Sequence, residues 1–201
     1  MKLFFAPGAC SLSPHIALCE SGLPFDIERV DLGTKVTKSG ADYRKINPKG
    51  SVPALLLDNG EVLTEGPAVV QYIADQAPDK GLAPPAGTLA RYRLQEWLNY
   101  ISTELHKGFA PLFKPDTSDE IRKATVASLL PKLEYVAGQL NGNDYLMGSE
   151  FTVADGYLFT ILGWTKYAGI DLGQWPAIKA YVERVGARPK VQEALAAEKA
   201  S

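Results

Sequence analysis

The chain has 201 residues, a formal net charge of −2 and an isoelectric point near 5.7, with 46% hydrophobic and 22% charged residues. This composition is typical of folded globular proteins, and so small a charge gives no electrostatic reason to expect nucleic acid or a membrane surface as a partner. Pro7 and Gly8 interrupt the apolar run at the N-terminus before a signal-peptide core forms, so we expect a cytoplasmic protein.

The first residues predict a β-α unit followed by a second strand. "KLFF" is a short apolar strand, Pro7-Gly8 predicts a turn, and the segment from about Ser11 to Glu20 predicts a helix that Gly22 ends. In "FDIERVDL" apolar and charged residues alternate imperfectly, which indicates a strand. A polar stretch follows it, and we place a second helix there.

A hairpin and a helix complete this first part of the chain. "VPALLLD" and "VLTE" are joined by Asn59-Gly60, a dipeptide that favours a tight hairpin turn. The next segment opens with Gly66-Pro67, and proline suits the first turn of a helix because its missing N–H needs no partner there. The predicted order is therefore β-α-β-α-β-β-α, an α/β domain over residues 1–80.

The rest of the chain predicts only helices. Residues 81–87 belong to a stretch rich in proline and glycine and are predicted to be a linker, with an all-helical domain over residues 88–201. One long helix carries an apolar stripe, and another contains Pro131. Thr152 and Asp155 form a capping-box pattern before a mostly apolar helix. The stripe consists of Leu94, Leu98, Ile101 and Leu105.

The two cysteines are predicted to act separately. On one helix, nine positions apart, their Cα atoms lie roughly 13 Å from each other, too far for a disulfide. No cysteine or histidine spacing typical of a metal site occurs, so we expect no metal. Cys10 lies at a helix start, where unpaired N–H groups and the helix dipole favour a thiolate nucleophile, although an arbitrary cysteine is more often an inert buried residue. Cys19 is predicted to pack in the core.

Two motifs stand in order along the chain, "SVPALLLDNGEVLTEGPAVVQYIA" in the predicted α/β domain and "FTVAD" in the helical one. Together with the predicted elements, which cover nearly the whole chain, they resemble the cytosolic glutathione transferases. "PGACSLSPHIAL", "NPKGSVPALLLD" and "WPAIKAYVERVGARPKVQEAL" are similar to the bacterial beta class. The resemblance implies a thioredoxin-like N-terminal domain that binds glutathione, an all-helical C-terminal domain that holds a hydrophobic substrate, and a homodimer.

By this resemblance, the N-terminal domain carries most of the glutathione site. Cys10 faces the sulfur of glutathione and can form a mixed disulfide with it. A cis bond at Val52-Pro53 lets the backbone pair with the cysteinyl part, although a trans proline at a strand start is the commoner case. Glu65 takes the ammonium of the γ-glutamyl group, and the backbone at Gly66 takes its carboxylate; Glu65 also favours the dipole of the following helix.

Further site residues are implied in the long helix that carries the apolar stripe. Asn99, Thr103 and His106 step by four and then three, so we expect them on one face of this helix. The resemblance places these three residues and Lys107 in the glutathione site, some of them reaching the tripeptide of the neighbouring subunit. His106 could exchange a hydrogen bond or a proton with a thiol, although a lone helix histidine is more often a packed or surface group.

Ser11, Lys35 and Phe5 bear on thiol activation and tripeptide binding. The Ser11 hydroxyl could donate to the sulfur or could cap the helix. Lys35 matches a residue that meets the glycyl carboxylate, although it lies in a polar loop where lysines are commonly solvated. Phe5 departs from the tyrosine that many family members have near this strand end, so activation rests on Cys10, Ser11, His106 or backbone groups.

The sequence thus predicts a glutathione transferase that conjugates glutathione to small hydrophobic electrophiles, with thiol–disulfide exchange through Cys10 as a second activity. Two alternatives stay open: a binding protein of this fold with little turnover, and a glutathione-dependent reductive dehalogenase or peroxidase. The hydrophobic site is assigned to aromatic and aliphatic residues that could equally belong to the core. They are Phe109, Leu112, Phe113, Trp164 and Tyr167.

Overall fold

A five-stranded mixed sheet forms the first part of the molecule, in a computed structural model that describes residues 1–201. The strand order is β3-β2-β1-β4-β5, with β1 and β2 parallel and every other neighbouring pair antiparallel. The strands are β1 (Lys2–Phe5), β2 (Asp26–Asp31), β3 (Val36–Thr37), β4 (Ala54–Leu56) and β5 (Val62–Thr64).

Two helices accompany this sheet. Helix α1 (Leu12–Ser21) connects the parallel strands β1 and β2 and ends at Gly22, whose φ of 69° is the left-handed conformation that glycine adopts without strain. Helix α2 (Gly66–Gln76) follows the β4–β5 hairpin and has Pro67 in its first turn. These elements confirm the predicted α/β, thioredoxin-like fold class.

One predicted element differs. Where the sequence order predicts a helix between β2 and β4, the chain forms β3 and a single 3₁₀ turn at Tyr43–Lys45. Gly33, Gly40 and Pro48 divide this segment into short runs, none long enough to sustain a helix against the cost of forming its first turn.

The second part is all-helical, as predicted, and none of the helices has the length and apolar character needed to span a membrane. A π-helix at Ile101–His106 continues α3, and a 3₁₀ turn at Ala110–Phe113 follows α4. The helices are α3 (Leu89–Tyr100), α4 (Lys107–Phe109), α5 (Asp119–Leu140), α6 (Val153–Leu162), α7 (Thr165–Ala168), α8 (Pro176–Gly186) and α9 (Pro189–Lys199).

A continuous hydrophobic core joins the two parts of the molecule, with α6 buried at its centre. Helix α1 packs against α2, α6 and α9. The predicted stripe of Leu94, Leu98, Ile101 and Leu105 is buried, as expected of one face of an amphipathic helix. The division of the chain into two domains at residues 81–87 stays a prediction.

The start of α6 is stabilised by the predicted capping box. The carboxylate of Asp155 accepts the N–H of Thr152 at 2.8 Å and that of Leu146 at 2.9 Å. The Tyr181 hydroxyl donates to the same carboxylate at 3.0 Å, and Asp155 is 0% exposed. Three separate parts of the chain therefore meet at one buried carboxylate.

The π-helix changes which side chains share a face. The N–H of Lys107 bonds to the carbonyl of Ser102, five residues back, so this segment has an extra residue in its turn. Each extra residue rotates the following side chains by about 100° relative to a continuous α-helix. The prediction that Asn99, Thr103 and His106 lie on one face, which assumed an unbroken α-helix, is therefore wrong for His106.

Candidate functional site

A cleft of about 870 Å³ lies between the sheet loops of the first part and the helices of the second. This volume suits a drug-sized ligand, and both polar and apolar groups surround it. Eight of the predicted site residues line it: Cys10, Lys35, Val52, Pro53, Glu65, Gly66, His106 and Lys107.

Cys10 lies in the loop just before α1, with its sulfur at the wall of the cleft. Its thiol donates to the carbonyl of Val52 at 3.3 Å. Burial, assisted by the negative charge of Glu65, raises its pKa to about 11, because the N–H groups of Cys10 and Ser11 act in the opposite direction too weakly to compensate. The expectation that the helix start favours a thiolate is therefore wrong for the free protein, in which desolvation dominates.

The loop that carries Cys10 is held by the helical part of the chain. Gly8 donates its N–H to Glu198 of α9 at 3.3 Å and accepts the indole N–H of Trp164 at 2.9 Å. Glu198 also contacts the ring of His15 at 3.2 Å, and His15 is buried. His15 therefore packs inside the protein, while its partner Glu198 positions the loop.

We predict that Cys10 reacts slowly with iodoacetamide at neutral pH and faster as the pH rises. With a pKa of about 11, roughly one thiol in 10,000 is ionised at pH 7, and this fraction increases about tenfold per pH unit below the pKa. Mass spectrometry of peptides after timed labelling between pH 7 and 10 measures the rate. Cys10→Ala shows the contribution of Cys19, and rapid labelling of Cys10 at pH 7 would contradict this prediction.

The Ser11 hydroxyl is engaged away from the cleft. It accepts the N–H of Ala6 at 3.1 Å and donates to the carbonyl of Ala6 at 3.2 Å, and Ser11 is 0% exposed. It makes no side-chain hydrogen bond to the N–H groups of the first turn of α1. Neither the catalytic interpretation nor the capping interpretation of Ser11 matches this arrangement.

Strained or unusual backbone recurs at the polar end of the cleft. The Val52-Pro53 peptide bond is cis, as the resemblance implies. Lys35 and Glu65 both have positive φ, 60° and 68°, which is costly for residues other than glycine. Lys35 donates its ammonium to the carbonyl of Gly50 at 2.8 Å, beside the cis bond.

Glu65 immediately precedes α2, lines the cleft and forms an ion pair there. Its carboxylate contacts the ammonium of Lys49 at 2.6 Å, and Lys49 also donates to Thr64 at 2.8 Å. Both charged side chains are more than half exposed, so the pair is weak. The first N–H groups of α2 begin at Gly66, directly after Glu65. A group that can bind an anion, the helix start, therefore lies beside one that can bind a cation, the carboxylate.

His106 forms part of the opposite wall with two aromatic side chains. Its Nδ1 lies 2.7 Å from the hydroxyl of Tyr157, and its ring packs edge-on against Trp164 at a centroid distance of 4.9 Å. Burial, assisted by the neighbouring charge of Lys107, lowers the pKa of His106 to about 4. The imidazole is therefore neutral at physiological pH.

Two predicted residues lie outside the cleft. Asn99 and Thr103 are exposed, and the Thr103 hydroxyl donates to the carbonyl of Asn99 at 3.1 Å. Because the π-helix rotates the side chains that come after it, His106 and Lys107 line the cleft while these two residues face elsewhere. Their contact with a neighbouring subunit stays a prediction.

The predicted hydrophobic site is largely present. Leu112, Phe113, Trp164 and Tyr167 line the cleft, and Phe113 and Tyr167 are exposed at its rim. Phe109 is fully buried beneath them, with its ring 6.0 Å from that of Trp164, and belongs to the core.

Sequence reasoning missed six polar residues of the cleft: Asn47, Lys49, Ser51, Thr64, Ser102 and Tyr157. Tyr157 could have been noticed as a phenol inside the apolar helix α6, whereas no sequence pattern distinguishes Ser102 from the exposed polar residues around it. No group of three or more His, Cys, Asp or Glu side chains is arranged to hold a metal ion.

Comparison with known proteins agrees with this geometry. Residues 8–76 match the family model "Glutathione S-transferase, N-terminal domain", and residues 100–189 match "Glutathione S-transferase, C-terminal domain". The glutathione S-transferase GstA of Escherichia coli O157:H7 is 51% identical over 198 residues, covering 98% of both chains.

Solved structures are equally similar over the whole chain. A ternary complex of BphK, a bacterial GST, is 57% identical with a TM-score of 0.97, covering 99% of this chain and 100% of that one. A beta-class glutathione S-transferase from Sphingomonas chungbukensis is 50% identical with a TM-score of 0.96, covering 98% of both chains. Sequence, fold and cleft therefore agree: the chain belongs to the glutathione S-transferase family, in its bacterial beta class.

Proposed function

We propose that this protein conjugates glutathione to small hydrophobic electrophiles. The observation that carries the proposal is the cleft itself, where the cis Val52-Pro53 bond, Glu65 at the start of α2 and the sulfur of Cys10 meet an aromatic wall. A solved sphingomonad glutathione S-transferase complexed with glutathione is 50% identical, with a TM-score of 0.97 and full coverage of both chains, which supports glutathione as the co-substrate.

The polar end of the cleft suits each part of the tripeptide. Glu65 would take the ammonium of the γ-glutamyl group, and the N–H groups at Gly66 its carboxylate. The backbone of Val52 would pair with the cysteinyl residue, and Lys35 would take the glycyl carboxylate. The ammonium of glutathione must displace Lys49 from Glu65, which costs little because the exposed pair is weak.

The apolar end suits the second substrate, which we propose to be an aromatic or aliphatic electrophile. Leu112, Phe113, Trp164 and Tyr167 would contact it, and His106 would face the reacting sulfur from the same wall. Conjugation requires a glutathione thiolate, which a positioned hydrogen-bond donor stabilises.

We further propose the assembly and compartment that the family suggests. The protein would form a homodimer, with Asn99 and Thr103 facing the tripeptide of the partner subunit. Residues 1–80 and 88–201 would form separate domains joined by residues 81–87. Both cysteines are free thiols, which suits the reducing cytoplasm.

Thiol–disulfide exchange is a second candidate activity, supported by the free sulfur of Cys10 in the cleft. The Cys10 thiol would lose its proton to solvent and attack glutathione disulfide, forming a mixed disulfide and releasing one glutathione thiolate. A second glutathione thiolate would then attack the glutathione sulfur of the mixed disulfide, re-forming glutathione disulfide and releasing the Cys10 thiolate, because Cys19 is buried and unsuited to do so.

The test is the initial rate of glutathione conjugation to a chloronitrobenzene, for the native protein beside Cys10→Ala. We expect an active native protein and a variant within about tenfold of it, because Cys10 contributes at most one hydrogen bond to the sulfur of glutathione. Exchange with glutathione disulfide should disappear in the variant. Bound glutathione without conjugate would instead indicate a binding protein, and accumulation of glutathione disulfide a dehalogenase or peroxidase.

A further inference from the structure

A chain of polar contacts crosses the apolar wall of the cleft. Tyr157 belongs to α6, whose other residues are mostly apolar and buried. Tyr157 is only 2% exposed. Its hydroxyl lies 2.7 Å from Nδ1 of His106 and is also within hydrogen-bonding reach of Ser102 in the π-helix. A phenol in such a position must find a partner for its proton.

The imidazole of His106 is the better acceptor for that proton. Burial raises the pKa of Tyr157, so the phenol stays protonated and must donate. The basic ring nitrogen of a neutral imidazole accepts a hydrogen bond more strongly than a serine hydroxyl, and Ser102 can donate to the phenol oxygen in turn. His106 is neutral because burial and Lys107 lower its pKa to about 4.

A neutral imidazole carries one proton, so the partner of one nitrogen decides the role of the other. If Nδ1 accepts from Tyr157, the ring proton must be on Nε2. We propose that Tyr157 is a positioning residue that holds His106 as the Nε2–H tautomer, so that His106 presents a hydrogen-bond donor, and not a base, to the sulfur bound in the cleft. The part of this inference that concerns sulfur rests on the proposed function.

Two-dimensional long-range ¹H–¹⁵N NMR of protein with ¹⁵N-labelled histidine tests the tautomer directly at pH 7. The protein has two histidines, so the spectrum is simple and His15 serves as an internal reference. We expect the His106 signals of a protonated Nε2 and a bare Nδ1. A protonated Nδ1 in the native protein would overturn the proposal without any variant.

Tyr157→Phe removes only the hydroxyl, and Tyr100→Phe is the matched control. Tyr100 is half-buried, donates to the carbonyl of Lys132 and lies outside the cleft. In Tyr157→Phe we expect a mixture of both His106 tautomers and a kcat for conjugation lowered by about 3- to 10-fold, with the KM for glutathione unchanged. An unchanged tautomer in a folded Tyr157→Phe variant would refute the role of this hydroxyl.

The two proposals fail in different ways. If the native protein conjugates nothing while His106 shows the Nε2–H tautomer, the proposed function fails and the structural role of Tyr157 stands. If conjugation is active but His106 carries its proton on Nδ1, the function stands and His106 is available as a base.

Discussion

Replacing Asp155 with alanine is expected to lower the free energy of unfolding by about 3–5 kcal/mol. The carboxylate accepts hydrogen bonds from Thr152, Leu146 and Tyr181 inside the core. Alanine leaves the N–H groups of Thr152 and Leu146 buried without a partner, while the Tyr181 hydroxyl keeps only its bond to the carbonyl of residue 155. An unpaired buried donor costs about 1–3 kcal/mol, so the two together account for the expected loss. Urea denaturation followed by circular dichroism, at one fixed protein concentration, measures it.

Asp171→Ala is the matched control for this variant. Asp171 also caps a helical turn through its side chain, accepting the N–H of Gly173 at 2.8 Å, but it is exposed. Water replaces the carboxylate there, so we expect a loss of about 1 kcal/mol or less. If the two variants lose the same stability, burial of the Asp155 network is not what holds the start of α6.

The second large effect is expected from Glu65→Gln, which should raise the Kd for glutathione about 10- to 100-fold. The substitution keeps the shape of the side chain but removes the charge that would bind the ligand ammonium, and a hydrogen bond to a charged group contributes about 1.5–3 kcal/mol. Glu65 has a positive φ immediately before α2, and no other acidic side chain lines the cleft. Isothermal titration calorimetry measures the affinity.

Glu61→Gln serves as the control because it changes the net charge equally on the same hairpin. Glu61 is exposed, accepts from Asn59 and does not line the cleft, so its variant should bind glutathione with unchanged affinity. A glutathione analogue without the α-amino group should bind native protein and Glu65→Gln nearly equally. Loss of affinity for this analogue in Glu65→Gln would mean that the substitution deforms the site.

The features that sequence reasoning predicted correctly depend on short-range chemistry. The turn at Asn59-Gly60, Pro67 in the first turn of α2 and the Thr152–Asp155 capping box each follow from residues within a few positions of one another. The apolar stripe of α3 and its continuation follows from periodicity alone. The cis bond before Pro53 came from family resemblance, because isolated X-Pro pairs are usually trans.

The features that it missed depend on the assembled molecule. The pKa of Cys10 is set by how deeply the fold buries the thiol, which the helix-start position does not indicate. The Ser11 hydroxyl bonds to Ala6 in the loop before the helix, a choice made by tertiary geometry. The π-helix leaves no residue pattern that separates it from an α-helix, although it moves His106 off the face that carries Asn99.

The attachment of the Cys10 loop to Glu198 and Trp164 limits how freely the two parts of this chain can be recombined with those of relatives. A chimera that joins residues 1–80 to a foreign helical part would keep its sheet and its cis proline. Unless the new part also supplies an acceptor for the N–H of Gly8 and a donor for its carbonyl, the loop would lose both attachments. The N-terminal part therefore depends on the helical part for the position of this loop, and chimeras should exchange Trp164 and α9 together with the loop that they hold.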